Sequence, residues 1–299
     1  MWVKAHNQPV KIHIPLSVTE KRKIMFTTFC TVDDLIANQN EPDWVIVDCS
    51  YNLKDKAAGY EMYQQAHIPG AVYAHPFKHL SGPPLTDQGR HPLPSADQLE
   101  MVFSQLGISA NTQVIAYDNG GITAPRLWWL LNYMGHNKVA VLDGGLEAWT
   151  AAGQETVGGI EKNDFGDFEG TANRERLVIL EEVLDQRLLV DSRDPERYRG
   201  DSSGSDPAAG HIPGAKSRFH ALNKDEDLKL RDPETLKAEF TELLGGVPSE
   251  ETTFYCGSGM SACHNLLTMA HLGMKPGKLY VGSWSEWSQF EDLPKVSGD

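Results

Sequence analysis

Cys256 stands in the stretch FYCGSGMSACHN, residues 254–265, directly after a β-branched and aromatic run and just before two glycines in three residues. A strand ending at Tyr255, a glycine-bearing loop and a helix beginning near Ala262 turn successive main-chain N–H groups toward one point, which makes an anion-binding nest. Such amides and the positive helix end favour a thiolate over a thiol, so the sulfur becomes a nucleophile without an adjacent base. Gly257 and Gly259 are expected to take positive φ and let the backbone close around the sulfur. Ser258 and Ser261 add hydroxyl donors, and the same cradle suits a persulfide, whose outer sulfur is also an anion. The competing reading is a buried structural thiol that acts as a small hydrophobe. A cysteine phosphatase would need an arginine at the far end of this loop to clamp phosphate in a bidentate fork. Position 262 is Ala, and no Arg or Lys occurs from 256 to 274.

The elements that must position this loop occur twice. HIPGAV at 67–72 returns as HIPGAK at 211–216, VIVDCS at 45–50 as LLVDSR at 188–193, YDNGGITA at 117–124 as YCGSGMSA at 255–262, and GGLEAW at 144–149 as GSWSEW at 282–287. Four matched blocks in one order imply a duplication. It divides the chain into a first domain at 25–150, a linker at 151–174 rich in Gly and acidic residues, and a second domain at 175–299. The linker is long enough to wrap one copy around the other. In the first copy Asp118 occupies the place of Cys256. A structural thiol would more naturally give way to Ala, Ser or Val, so the pattern indicates one live copy and one that has lost its nucleophile.

VIVDCS, LLVDSR, VIAYD and TTFYC read as short buried strands. SADQLEMVFSQLG, with Ser95 placed as a cap, RLWWLLNYMGH, and NLLTMAHLG with its stop at Gly273 read as helices. The fold class is therefore α/β: tandem domains, each a mostly parallel sheet with helices on both faces. Sites in such sheets lie beyond the carboxyl ends of the strands, where Cys256 falls.

Composition sets outer limits. A hydrophobic share of 40% and a charged share of 23% belong to a globular chain. The net charge of −14 excludes nucleic acid as the main partner. Cys30, Cys49, Cys256 and Cys263 have no CxxC spacing, which points to free thiols in a reducing compartment, the cytoplasm. No run approaches the roughly 18 apolar residues that cross a bilayer. The first 24 residues lack a signal-peptide centre, and Met25 opens what reads as domain. Cys263 and His264 point about 100° apart on a helix, wrong for a shared metal, and no metal or cofactor site is readable. Trp128, Trp129, Trp149, Trp284 and Trp287 read as core or interface, and Arg126 as an ion-pair donor at the interface.

Both HIPGA blocks, DSRDPERYRG at 191–200, CGSGMSA and GSWSEW together resemble the two-domain rhodanese and 3-mercaptopyruvate sulfurtransferase family, over about Met25–Leu293. The resemblance implies two rhodanese-like domains, of which only the second carries the catalytic cysteine, at the domain interface. CGSG followed by an apolar residue, a hydroxyl residue and Ala is similar to the mercaptopyruvate branch, with Met260 and Ser261 where Val and Thr are common. It implies Arg197 as the residue that binds the donor's carboxylate, Ser258 as a loop hydroxyl near the ketone, and His67 as a histidine working with that serine. HIPGA recurs at His211, so a structural task in each domain competes with that role for His67. An acidic partner for His67 is not evident; Ala57 and Ala58 stand near its place, with Asp55 and Glu61 as substitutes. The branch's second carboxylate-binding arginine is missing from GDSSGSDPAAG at 200–210, leaving Arg199 to compensate. The implied activity moves sulfur from 3-mercaptopyruvate through a Cys256 persulfide, cradled by Gly257, Ser258, Gly259, Met260, Ser261 and Ala262, to a thiol, such as a thioredoxin-like protein, or to cyanide. Thiosulfate:cyanide sulfurtransfer with the same nucleophile, and a non-catalytic rhodanese pair acting as a binding or sensor module, are the rivals.

Overall fold

The computed structural model describes residues 25–52, 55 and 57–299; the N-terminal stretch 1–24, to which no function is assigned, lies outside them. The first domain runs β1 (Phe29–Cys30), α1 (Val32–Asn38), β2 (Trp44–Asp48), α2 (Ala58–Gln65), β3 (Val72–Tyr73), α3 (Ala96–Gln105), β4 (Gln113–Tyr117), α4 (Ala124–Tyr133), β5 (Val139–Leu142) and α5 (Gly145–Ala151). The second runs β6 (Leu177–Val178), β7 (Leu188–Asp191), α6 (Pro195–Arg199), β8 (Lys216–Ser217), α7 (Pro233–Leu244), β9 (Thr252–Tyr255), α8 (Ala262–His271), β10 (Lys278–Tyr280) and α9 (Ser283–Trp287). Their sheets are ordered β1-β5-β4-β2-β3 and β6-β10-β9-β7-β8, the same topology twice, and every pairing is parallel.

Local chemistry explains the boundaries. Ser95 accepts from the Gln98 amide while the Gln98 side chain returns to Ser95, a capping box that starts α3. Gly273, at φ +73°, lies just past the end of α8 in the left-handed conformation that glycine adopts without strain.

Side-chain alternation along the strands covers both faces of each sheet. In β2, Val45 and Val47 join one buried cluster while Trp44 and Ile46 join another; in β7, Leu188 and Val190 part from Leu189 in the same way. The first of these clusters is common to both domains. It unites α3 and α4 with α7 and α8, and α4 packs against α8 across the boundary. Because each of those two helices follows one of the duplicated loops, their contact brings both loops to the interface. Trp128, Trp129, Trp149, Trp284 and Trp287 are all buried, as expected.

Residues 151–174, whose composition reads as linker, lie along the first domain as a strap. Val157 pairs with His67, Gly166 donates to the Ser104 carbonyl, Thr171 to that of Met134, and the Phe168 ring is buried in the shared core. Regular main-chain bonding and one buried aromatic ring hold the strap without any periodic pattern that sequence reading detects.

Candidate active site

The matching loop of the first domain shows what this turn can hold. Asp118 follows β4, and its carboxylate accepts the amides of Gly120, Gly121, Ile122, Thr123 and Ala124, with the Thr123 hydroxyl at 2.9 Å. Apart from the Gly121 contact, these amide bonds span 2.6–2.9 Å. One carboxylate thus fills the nest with its own negative charge.

Cys256 stands at the matching point after β9, 98% shielded from solvent at a relative exposure of 2%. It is a free thiol within the apolar cluster that joins the domains. Among the described residues, none of the loop amides from Gly257 to Ala262 has an acceptor. Buried N–H groups are rarely left unpaired. Those donors remain available to an anion bound at this turn. Burial pushes the thiols of Cys30 and Cys263 up to about 12, and that of Cys49 well above its usual value.

Two glycines in the loop have separate reasons. Gly259 sits at φ +74°, and a Cβ there would meet the Val281 carbonyl oxygen at 2.5 Å. Gly257 does not have positive φ, contrary to expectation. It is required by close approach, since a Cβ would fall 2.8 Å from a guanidinium nitrogen of Arg197 and 3.0 Å from one of Arg90.

A second arginine does stand beside Arg197. Arg197 comes from α6 of the second domain and Arg90 from the first domain, and both guanidinium groups lie against the residue next to Cys256. Arg199, the expected substitute, instead pairs with Asp201 at 2.9 Å. Asp206, within the segment that lacks a basic residue, is fully buried; it accepts from Arg197 at 2.6 Å and from Arg90, with Arg193 at 3.9 Å. Its carboxylate fixes both guanidinium groups.

Ser258 also has a partner from the first domain, and it is not His67. The Ser258 hydroxyl is hydrogen-bonded to Nδ1 of His91 at 2.7 Å, and the His91 ring stacks on Phe77 at 4.6 Å. His67 is fully buried, its Nδ1 bonded to the Tyr63 carbonyl at 2.7 Å, its ring stacked on Tyr63 and its main chain paired with Val157. His211 repeats this arrangement on Tyr198 and Val296. The HIPGA histidine therefore locks a turn in each copy, which corrects the role implied by resemblance. Asp55 and Glu61 are not among the partners of His67; Asp55 accepts from the Ala57 amide.

Arg90, His91, Asp206 and Ser283 escaped sequence reading. Arg90 and His91 sit in an irregular stretch with no counterpart in the second copy. Ser283 accepts the Cys256 amide at 3.1 Å from φ +56°, a left-handed conformation disfavoured for a non-glycine residue. Its counterpart is Gly145, at φ +58°. The GSWSEW–GGLEAW match contained this signal: the second copy keeps a strained hydroxyl where the first keeps glycine.

A family model described as rhodanese-like domain matches residues 31–152 and again 178–290. A "probable 3-mercaptopyruvate sulfurtransferase" of Pseudomonas aeruginosa is 40% identical, covering 90% of this chain and 98% of that protein. The thiosulfate sulfurtransferase of Rattus norvegicus is 32% identical over 82% of this chain and 85% of its own. Among solved structures, the 3-mercaptopyruvate sulfurtransferase from Leishmania major matches with a TM-score of 0.79 at 29% identity, covering 88% of this chain and 74% of that one.

Proposed function

The chain belongs to the rhodanese-like domain family and is a sulfurtransferase, and from that premise we propose that it takes sulfur from 3-mercaptopyruvate onto Cys256 and passes it to a thiol or cyanide. The observation that carries this reading is the pair of loops: one nest filled by the Asp118 carboxylate, its twin built around a cysteine with its amides unspent.

Arg197 and Arg90 bind the donor's carboxylate as a planar, charge-assisted clamp that Asp206 holds in place. Cys256 thiolate attacks the donor's sulfur; the carbon–sulfur bond breaks, its electron pair leaves as the enolate of pyruvate, and the donor's thiol proton ends on that carbon. Ser258, hydrogen-bonded to His91, steadies the ketone oxygen as it gains charge. Cys256 now carries a persulfide whose outer sulfur lies among the amides of Gly257, Ser258, Gly259, Met260, Ser261 and Ala262. An acceptor thiolate, such as that of a thioredoxin-like protein, or cyanide attacks the outer sulfur and returns the Cys256 thiolate. Covalent catalysis in two half-reactions gives ping-pong kinetics. Because Cys256 is enclosed, the side chains above Gly257 must shift to admit either substrate.

The catalytic copy is assigned to 175–299 and the silent copy to 25–150, joined by the strap at 151–174. Four free thiols suit a reducing compartment, which makes the cytoplasm the assigned location. No helix among the described residues is long and apolar enough to cross a membrane.

Intact-mass measurement after separate incubation with 3-mercaptopyruvate and with thiosulfate tests the reading. The expected result is a gain of one sulfur atom with the first donor, absent in Cys256→Ser. Thiosulfate is the rival donor because two guanidinium groups also suit its charge, and loading by thiosulfate alone would transfer the assignment to it. No gain with either would leave a non-catalytic module.

A further inference from the structure

Arg126, in α4 of the silent domain, is fully buried at the boundary. Its Nη1 donates to the carbonyl of Gly259 at 3.2 Å, in the middle of the cysteine loop, and its Nε reaches the Leu80 carbonyl at 3.4 Å. The guanidinium lies 5.5 Å from the Trp129 ring centre. Nη2 is buried with no partner among the described residues, and no carboxylate there forms an ion pair with Arg126, which contradicts its reading as an ion-pair donor. A buried cation without a counter-ion is costly, and proteins retain one where an anion completes it. Burial pulls Arg126 below the usual arginine range, and the groups whose negative forms oppose this are Cys263, then Cys256. Cys263 is itself held protonated by burial and directs its thiol to the same Gly259 carbonyl at 3.4 Å.

The duplication supplies a comparison. The residue matching Arg126 is His264 in α8, which faces Gly121 of the silent loop across the same boundary. Burial keeps His264 neutral, and the loop it faces already contains a permanent carboxylate. The cation thus stands behind the loop that has no carboxylate of its own.

We propose that Arg126 is a positioning residue lent by the silent domain, the buried counter-ion of the sulfur anion that Cys256 carries before and after loading. This rests on Cys256 being the sulfur carrier, which loading of the unaltered chain checks separately. The other charged or titratable groups around the loop are Arg90 and Arg197 against Gly257, Asp206 between them, His91 on Ser258, Cys263 at the start of α8, and Glu286 in α9.

The test is the pH profile of sulfur uptake by the full chain and by Arg126→Met, Arg126→Gln and Arg126→Lys, with melting temperatures measured in parallel. Removing the charge is expected to move the acid limb about one pH unit upward, so uptake at neutral pH falls about tenfold, while Lys restores at least half of the shift. If Arg126→Met does not fold, Gln against Lys makes the same comparison. An acid limb that stays in place in the uncharged variant, even with a lower melting temperature, makes Arg126 merely structural and overturns the proposal.

Discussion

Ser258 shows how a residue's partner decides its chemistry. Its hydroxyl faces the imidazole of His91, fixed on Phe77, whereas His67 spends Nδ1 on a carbonyl of its own turn. We expect His91→Ala to lower kcat for sulfur uptake by roughly a hundredfold, the order of one donor lost from a developing oxyanion, because Ser258 would no longer be held in place. His67→Gln should leave kcat within about twofold and instead cost about 1–3 kcal/mol of stability by disturbing a buried hydrogen bond. Steady-state kinetics beside denaturant unfolding separates the two, and the reverse pattern would return His67 to the site. The turn that holds Cys256 and Ser258 was legible because loop glycines and a helix start surround them. His91 was not, because a histidine in irregular chain has no periodicity to place it.

At the scale of elements, the helices that follow the two loops differ in what they can titrate. His264 in α8 and the neighbouring His220 are both buried and uncharged; burial, reinforced by Lys224, brings His220 down to about 4, and burial with His220 lowers His264 well below its usual value. Unfolding returns both to an ordinary value of 6.5. Below pH 6.5 the unfolded chain binds more protons than the folded one, so their stabilisation is complete above about pH 6.5 and, for His220, lost as pH falls toward 4. Thermal unfolding at pH 7 and pH 5 should show a lower midpoint at pH 5, with His220→Gln reducing the difference. An unchanged difference would exclude His220 as a source. The strand–loop–helix order of both copies was legible in the sequence, because buried strands and capped helices follow local rules. The strap at 151–174 was not, since its hydrogen bonds go to main chain whose position depends on the completed first domain.

In the proposed site, the domain without the cysteine loop supplies part of the surroundings of Cys256. Arg90, His91 and Arg126 all come from the domain without a nucleophile, and a shared apolar core fixes that domain against the catalytic one. Arg90→Ala is expected to lower kcat/KM for 3-mercaptopyruvate by roughly tenfold to a hundredfold, the worth of one charge-assisted hydrogen bond. The loss should appear mainly in KM, since the carboxylate is held alike before and during reaction. Unchanged kinetics would leave Arg197 as sufficient and remove Arg90 from the clamp.

By itself the sequence determined the duplication, the α/β class and the strand–loop–helix turn that holds Cys256, because each depends on residues near one another in the chain. Tertiary structure alone decided which histidine reaches Ser258, which arginine joins Arg197, why Gly257 must lack a side chain, and that a buried cation backs the loop. Most of those contacts link residues more than a hundred positions apart, and the shared core that packs the two domains together sets their distances.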